Sequence, residues 1–280
     1  MEIRLAKTAG FCFGVNRAVE LTYNLLNEGH KVATLGPLIH NPQAVADMER
    51  RGALVADTVD DIPTGYEVII RSHGVPRTIY DTLEQRGLVY HDATCPFVKK
   101  IHRIVEQKST EGYHVIVVGD PKHPEVEGIV GWCQGPVTVL ETPEQAENFV
   151  KTEGEKLCIV SQTTYNYNKF QYIVEIFEKK GYNDSVVNTI CNATEERQRS
   201  AKAIAAEADV MIVIGGKHSS NSRKLYEICQ RECVHTYFIQ TLDDLHLDLP
   251  KSVRLVGITA GASTPNKIIE EVQNYVRINF

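Results

Sequence analysis

The chain has 280 residues, of which 42% are hydrophobic and 24% are charged, and its formal net charge is −6. This is the composition of an ordinary globular protein with enough length for a buried core. The negative charge argues against a nucleic-acid partner, and no basic tract or long apolar run indicates a membrane partner.

The N-terminus and the cysteine count indicate a reducing compartment. Residues 1–7 carry charges where a secretory signal would have an apolar stretch. Seven cysteines is an odd number, which does not fit a complete disulfide framework. We therefore expect a cytoplasmic protein whose thiols are free, catalytic or bound to metal.

The first predicted unit begins at Cys12. A helical pattern follows this cysteine, and a strand-like run over 31–35 then leads to the loop that holds His40. A second apolar strand, 67–71, leads to the loop that holds His73.

The second and third units repeat this order of helix, strand, polar loop, strand and polar loop. In the second unit the order is Cys95, a helix to about Thr110, a strand over 114–118, His123 and Glu125, a strand over 156–160, and Thr163. In the third unit it is Cys191, a helix through Ile204, a strand over 209–214, Ser219 to Ser222, a strand over 254–259, and Ser263.

One spacing recurs in all three units. A polar loop residue follows 28 positions after the first cysteine of each unit, in the pairs Cys12 and His40, Cys95 and His123, and Cys191 and Ser219. A repeat of this kind indicates one structural unit used several times. We predict an α/β protein with three pseudo-symmetric βαβ-type domains, 1–94, 95–190 and 191–280, each built on a parallel sheet.

The three repeated cysteines are candidate metal ligands. Each lies at or just before a helix N-terminus, where the helix dipole favours a thiolate. A single cysteine is more often a packing residue, as we expect for Cys158 and for the pair Cys229 and Cys233. Three equivalent cysteines meeting at one centre would leave a four-iron cluster with one iron lacking a protein thiolate, and that iron could bind a substrate.

The polar loops carry neutral hydrogen-bond donors, which suit phosphate oxygens. The donors are His40, His73, His123, Ser219, Ser220, Asn221 and Ser263. No Walker-type or G-x-G-x-x-G loop indicates a nucleotide cofactor. Glu125 could deliver protons, and Thr163 could order a water for the same relay. The alternative roles are a solvated glutamate and a turn residue.

Nine short stretches, in order and over essentially the whole chain, resemble the 4-hydroxy-3-methylbut-2-enyl diphosphate reductase family. They are 9–15, 36–41, 71–74, 92–96, 123–125, 161–164, 189–194, 219–222 and 259–263. The resemblance implies a trefoil of three α/β domains around a [4Fe-4S] cluster bound by Cys12, Cys95 and Cys191.

The same resemblance implies a reaction and a role for each loop residue. The seven donors would hold the diphosphate, Glu125 would be the proton source, and Thr163 would assist it. The reaction would be a two-electron reductive dehydroxylation of an allylic diphosphate to isopentenyl and dimethylallyl diphosphates. Electrons would come one at a time from a ferredoxin or a flavodoxin.

Two other functions stay open on the sequence. A non-redox dehydratase or synthase similar to quinolinate synthase would also use three cysteines and an open iron, although the neutral donor set suits a diphosphate better than a dicarboxylate. A zinc-binding or purely structural protein is the third interpretation, in which the cysteines hold zinc or only pack.

Overall fold

The computed structural model describes residues 1–182, 184–247 and 252–279. Strands and α-helices alternate along most of the chain. They are β1 (Glu2–Leu5), α1 (Phe13–Asn27), β2 (Val32–Leu35), α2 (Pro42–Arg50), β3 (Leu54–Ala56), β4 (Glu67–Ile70), α3 (Arg77–Gln85), β5 (Tyr90–Asp92), α4 (Pro96–Thr110), β6 (Tyr113–Val118), α5 (Pro124–Val130), β7 (Val137–Leu140), α6 (Pro143–Asn148), β8 (Lys156–Ser161), α7 (Tyr167–Lys179), β9 (Ser185–Val186), α8 (Asn192–Ala205), β10 (Val210–Ile214), α9 (Ser220–Glu232), β11 (Thr236–Ile239), β12 (Leu255–Ala260) and α10 (Asn266–Asn279). A short 3-10 helix separates β3 from β4 (Val59–Asp61) and β11 from β12 (Leu242–Asp244).

The strands form three parallel sheets of four strands each. Their orders are β3-β2-β4-β5, β7-β6-β8-β9 and β11-β10-β12-β1. The order is the same in each sheet: the first strand of the repeat lies between the second and the third, and one more strand pairs with the third at the edge. The predicted α/β class and its threefold repetition are therefore confirmed.

The edge strand of the third sheet comes from the other end of the chain. β1 pairs in parallel with β12, so it takes the place that β5 and β9 take in the other two sheets. Each of these edge strands is the last strand before a repeated cysteine: β1 before Cys12, β5 before Cys95 and β9 before Cys191.

Burial of the central strands explains why their sequences are nearly all apolar. In the second sheet, Ile116 and Ile159 face one core with Phe170 and Phe177. Val115 and Val117 face a second core on the opposite side, against α4 and α5. A parallel sheet covered on both faces requires apolar side chains at successive positions rather than at alternate ones. The third sheet is likewise covered on both faces.

The chain divides into two compact units. The first comprises Met1–Asn16, Ile39–Asp47 and Asn192–Phe280, and the second comprises Arg17–Leu38 and Met48–Cys191. The second unit contains the first two sheets, and the first unit contains the third sheet with β1. The three-domain division at 1–94, 95–190 and 191–280 stays a prediction.

Within the described ranges, no helix combines the length and the apolar character that crossing a bilayer requires. The cytoplasmic location expected from the sequence stays a prediction.

Candidate active site

The same tight turn follows the third strand of each sheet. In each turn, the carbonyl of the first residue accepts a hydrogen bond from the N–H of the residue three positions later, which closes the turn. The three bonds run from Gly74 to Arg71 (3.0 Å), from Tyr165 to Gln162 (3.0 Å) and from Thr264 to Gly261 (3.1 Å). The middle residues of these turns therefore stand at the carboxyl end of a parallel sheet, where such sheets bind ligands.

Each repeated cysteine is tied to one of these turns by its own backbone. Its N–H donates to the carbonyl of the second turn residue, from Cys95 to Ser72 (3.0 Å), from Cys191 to Thr163 (3.0 Å) and from Cys12 to Ala262 (3.1 Å). In each case the residue after the cysteine begins a helix: α1, α4 or α8. The repeated spacing in the sequence is thus matched by a repeated main-chain bond.

The chemical state of these thiols suits metal ligation. Cys12, Cys95 and Cys191 are half-buried, and none of the seven cysteines, all of which lie in described ranges, forms a disulfide. Each lies directly before the first residue of a helix. Three equivalent thiols therefore fit the donor set of an iron–sulfur cluster.

Two histidines of the second compact unit, His73 and His123, lie against each other. The rings of His73 and His123 meet edge to face, with centroids 5.5 Å apart. His123 also caps α5, because its Nδ1 accepts a hydrogen bond from the N–H of Glu125 at 3.1 Å. A neutral His123 ring must then carry its hydrogen on Nε2, so that nitrogen is a donor.

Glu125 is almost completely buried, with 2% of its surface exposed. Oε1 accepts a hydrogen bond from the N–H of Thr163 at 2.6 Å, and Oε2 accepts one from the Thr163 hydroxyl at 2.7 Å. A buried carboxyl group needs such partners, because an unsatisfied one would be costly. The solvated-glutamate alternative is therefore excluded by the structure.

The first compact unit holds the remaining donors. Ser219 caps α9, and its hydroxyl oxygen accepts from the N–H of Ser222 at 3.3 Å and from the Ser222 hydroxyl at 3.1 Å. The Ser263 hydroxyl donates to the carbonyl of His40 at 3.3 Å. Asn221 is buried, and neither its amide nitrogen nor its amide oxygen has a hydrogen-bond partner. Both polar atoms of this amide can therefore bind a ligand or a water molecule.

The candidate residues are divided between the two compact units. The first unit contains Cys12, His40, Ser219, Ser220, Asn221 and Ser263, and the second contains Cys95, Cys191, His73, His123, Glu125 and Thr163. Within the first unit the structure brings Ser263 to His40, and within the second it brings His73 to His123 and Glu125 to Thr163. The functional roles of these residues stay predictions.

Two residues that sequence reasoning did not single out lie at the first turn. Arg71 begins this turn, within a stretch that was noted only as a match. His102 is buried in α4 and stacks on Trp132, with ring centroids 5.2 Å apart, and a Cβ atom added to Gly74 would lie 2.6 Å from its ring. Burial lowers the pKa of His102 to about 4. Its position seven residues after Cys95, on the buried face of α4, was the available signal.

The cysteines outside the repeat are packing residues. Cys158, Cys229 and Cys233 are buried, as their sequence context predicts. Burial raises the pKa of Cys133 to about 12 and that of Cys229 to about 12, so these thiols stay protonated near neutral pH.

A family model described as "LytB protein" matches residues 3–277 of the chain. The chain is 47% identical over 277 residues to the 4-hydroxy-3-methylbut-2-enyl diphosphate reductase of Clostridioides difficile, and the match covers 99% of both chains. It is 46% identical over 276 residues to the reductase of the same name from Caldanaerobacter subterraneus, with 97% of this chain and 95% of the relative covered.

Solved structures with the same kind of name are also similar. The E-1-hydroxy-2-methyl-but-2-enyl-4-diphosphate reductase from Plasmodium falciparum has a TM-score of 0.94 at 28% identity, with 99% of this chain and 88% of that chain covered. A second structure, named as the terminal enzyme of the non-mevalonate pathway, has a TM-score of 0.72 at 44% identity and covers 99% of both chains.

Proposed function

The chain belongs to the LytB protein family, and we propose that it reduces 4-hydroxy-3-methylbut-2-enyl diphosphate to isopentenyl diphosphate and dimethylallyl diphosphate. The reaction consumes two electrons and two protons, breaks the bond between the allylic carbon and the hydroxyl oxygen, forms a carbon–hydrogen bond and releases water. The enzyme is thus an oxidoreductase. The observation that carries the proposal is the buried pair of Glu125 and Thr163, in a chain related to these reductases over its full length. Thr163 belongs to the turn whose carbonyl accepts the N–H of Cys191.

We propose that Cys12, Cys95 and Cys191 hold a [4Fe-4S] cluster. Their half-buried thiols, their identical backbone bonds and their places before three helices support this assignment. When bound, the cluster supplies electrons one at a time and a Lewis-acidic iron without a protein thiolate. A small one-electron carrier, a ferredoxin or a flavodoxin, would deliver the electrons, because the sequence carries no dinucleotide-binding loop.

The diphosphate would be bound by the neutral donor set. Its members are His40, His73, His123, Ser219, Ser220, Asn221 and Ser263. The Nε2 donor of His123 and the unpartnered amide of Asn221 support this role, because phosphate oxygens only accept hydrogen bonds. The donor set contains no carboxylate, so it does not repel the anion.

Glu125 would hold the proton, and Thr163 would relay it. In the bonds described above, the carboxylate accepts from the hydroxyl of Thr163 at 2.7 Å. When Glu125 is protonated, the hydroxyl reverses its role, accepts from Glu125 and turns its own hydrogen away from it, since a hydroxyl both donates and accepts. A proton can therefore leave the pair from Thr163 without movement of either side chain. Burial of Glu125 keeps water from competing for that proton.

The test is the iron and acid-labile sulfide content of anaerobically purified protein, followed by turnover of the substrate with a chemical one-electron reductant. We expect iron and sulfide in equal amounts, an optical spectrum that shifts when the allylic diphosphate is added, and both diphosphate products. A colourless protein with bound zinc, or a cluster-loaded protein that leaves the substrate unchanged, would reject the proposal.

A further inference from the structure

The first position of the turn is Arg71 in one sheet, Gln162 in the second and Gly261 in the third. The equivalent positions therefore carry a cation, an amide and no side chain, respectively. Only the first of these is charged. Comparing Arg71 with Gln162, whose sheet has the same strand order, shows which of its groups serve the fold and which do not.

Gln162 is completely committed to the fold. Its side chain crosses the end of β6 at Gly119, where an added Cβ atom would lie 2.9 Å from the Cβ of Gln162. Its Oε1 accepts a hydrogen bond from the N–H of Asp120 at 3.3 Å, and its Nε2 donates to the hydroxyl of Thr164 at 3.1 Å. Both polar atoms of the amide are thus used within the sheet end.

The side chain of Arg71 crosses the end of a neighbouring strand as that of Gln162 does, but it lacks the hydrogen bonds that Gln162 makes there. It crosses the end of β2 at Gly36, where an added Cβ atom would lie 2.6 Å from Nη1. The next residue is Pro37, which lacks the N–H that Asp120 offers to Gln162. The Nε of Arg71 is buried and has no hydrogen-bond partner, and within the described ranges its guanidinium forms no hydrogen bond or ion pair.

The charge of Arg71 is poorly compensated by the protein. Burial lowers the pKa of Arg71, and the field of Glu127 on α5 opposes that shift. Glu127 is exposed to solvent, which screens its charge. Arg71 is half-buried, and its buried Nε without a hydrogen bond is unfavourable unless a bound anion supplies the missing acceptor.

We infer that the guanidinium of Arg71 is a cationic binding group for the diphosphate of the substrate, in addition to the neutral donor set. The inference rests on the proposed function for the identity of the anion. Arg71 opens the turn that presents His73, and the N–H of Gly74 donates to its carbonyl, so the cation and the histidine belong to one rigid loop. A planar fork of N–H donors matches the oxygens of a phosphate group.

The probe is inorganic pyrophosphate, titrated into the cluster-loaded protein by calorimetry. Arg71→Gln copies the residue at the equivalent position, and we expect it to weaken pyrophosphate binding roughly tenfold or more, the loss typical of a charge-assisted hydrogen bond. Arg71→Lys keeps the charge and should recover part of the loss. Lys179→Gln removes one positive charge from the exposed end of α7, and it should bind like the wild type.

Salt dependence separates a charge effect from a change in shape. Pyrophosphate affinity should fall less steeply with salt in Arg71→Gln than in the wild type and in Lys179→Gln, because a cation that meets the anion has been lost. A folded Arg71→Gln protein that binds pyrophosphate as tightly as the wild type would overturn the inference.

Two further comparisons keep the result interpretable. If Arg71→Gln does not fold, the wild type decides: bound pyrophosphate should slow the reaction of Arg71 with phenylglyoxal, and an unchanged rate of modification would overturn the inference. Turnover of the allylic diphosphate is measured separately. A wild type that binds pyrophosphate through Arg71 but turns over no substrate would reject the proposed function and leave the anion site in place.

Discussion

Thr163 donates two hydrogen bonds to Glu125, one from its backbone N–H to Oε1 and one from its hydroxyl to Oε2, at 2.6 and 2.7 Å. The carbonyl of the same threonine accepts the N–H of Cys191 at 3.0 Å. One residue therefore orients the proposed proton donor and anchors a proposed cluster ligand. The hydroxyl of Thr163 bonds to Glu125, whereas its backbone carbonyl bonds to Cys191, so a side-chain mutation can remove the first bond and keep the second.

Removing only the hydroxyl of Thr163 should slow proton delivery without loss of the cluster. Thr163→Val keeps the size of the side chain and the backbone bond, and we expect turnover to fall roughly a hundredfold, within the usual range for general acid catalysis. Thr163→Ser retains the hydroxyl and should retain most of the activity. Turnover is normalised to iron content. Equal rates for the valine and serine variants would contradict the relay.

The three repeated cysteines should behave alike and differently from the others. Cys12→Ser, Cys95→Ser or Cys191→Ser should each reduce the iron bound per chain and abolish turnover, since each removes one of three equivalent thiolates. Cys133→Ser is the matched control, because that half-buried cysteine has no equivalent in the repeat. Iron and sulfide analysis after reconstitution measures the effect. Full iron content in any of the first three variants would remove that residue from the ligand set.

The repeat made much of the fold predictable, because each unit carries the same burial pattern. The runs 114–118 and 156–160, which are apolar after their first residue, are strands in the structure, at β6 and β8, since a sheet covered on both faces favours apolar side chains at successive positions. The pairing of β1 with β12 was not predictable from the spacing. It depends on a contact between the two ends of the sequence, and a short strand such as 2–5 carries no information about its distant neighbour.

The proximity of Glu125 and Thr163 was predictable, because they follow β6 and β8, two neighbouring parallel strands whose carboxyl ends lie at the same edge of the sheet. Arg71 and His102 escaped because their importance depends on what surrounds them. An arginine in a polar loop is ordinary, and only the contact with Gly36 and the lack of partners set Arg71 apart. A histidine in a helix is equally ordinary until its burial against Trp132 is known.

The packing of Gly74 on His102 should make this glycine unusually sensitive to substitution. Gly74 has φ of +74°, and an added Cβ atom would meet the His102 ring at 2.6 Å. Gly87 has φ of +64° but open space around it, so Gly87→Ala measures the backbone strain alone, about 1 kcal/mol. We expect Gly74→Ala to lower the free energy of unfolding by at least about 1 kcal/mol more than Gly87→Ala in urea denaturation. Equal losses would show that the ring moves away freely.

The buried His102 should make the protein less stable in mild acid. Burial lowers its pKa to about 4, whereas the unfolded chain has an ordinary histidine with a pKa near 6.5. Below about pH 6.5 the unfolded state takes up a proton that the folded state refuses, so stability is complete above this pH and falls until about pH 4. The full loss is on the order of 3 kcal/mol.

The variant His102→Gln isolates this contribution, because glutamine does not titrate. Its free energy of unfolding should depend less on pH between about 6.5 and 4 than that of the wild type, whatever its absolute stability. Denaturation at several pH values gives both slopes. Parallel slopes for the two proteins would mean that His102 is protonated in the folded state as readily as in the unfolded chain.

The unpartnered amide of Asn221 predicts a separation between stability and binding. Since neither polar atom makes a hydrogen bond in the protein, Asn221→Leu removes a buried polar group at no loss of a bond, and the free energy of unfolding should stay the same or rise. Asn221 is nevertheless one of the proposed diphosphate donors. Pyrophosphate affinity should therefore fall roughly tenfold.

Asn166 is the matched control for this change, because it is equally buried but its side chain caps α7 by accepting the N–H of Lys169 at 3.0 Å. Asn166→Leu should lower the free energy of unfolding by about 1 kcal/mol, the usual value of a helix cap, and leave pyrophosphate binding unchanged. The two variants should thus show opposite patterns in denaturation and calorimetry. If Asn221→Leu bound pyrophosphate as tightly as the wild type, Asn221 would lose its place in the donor set.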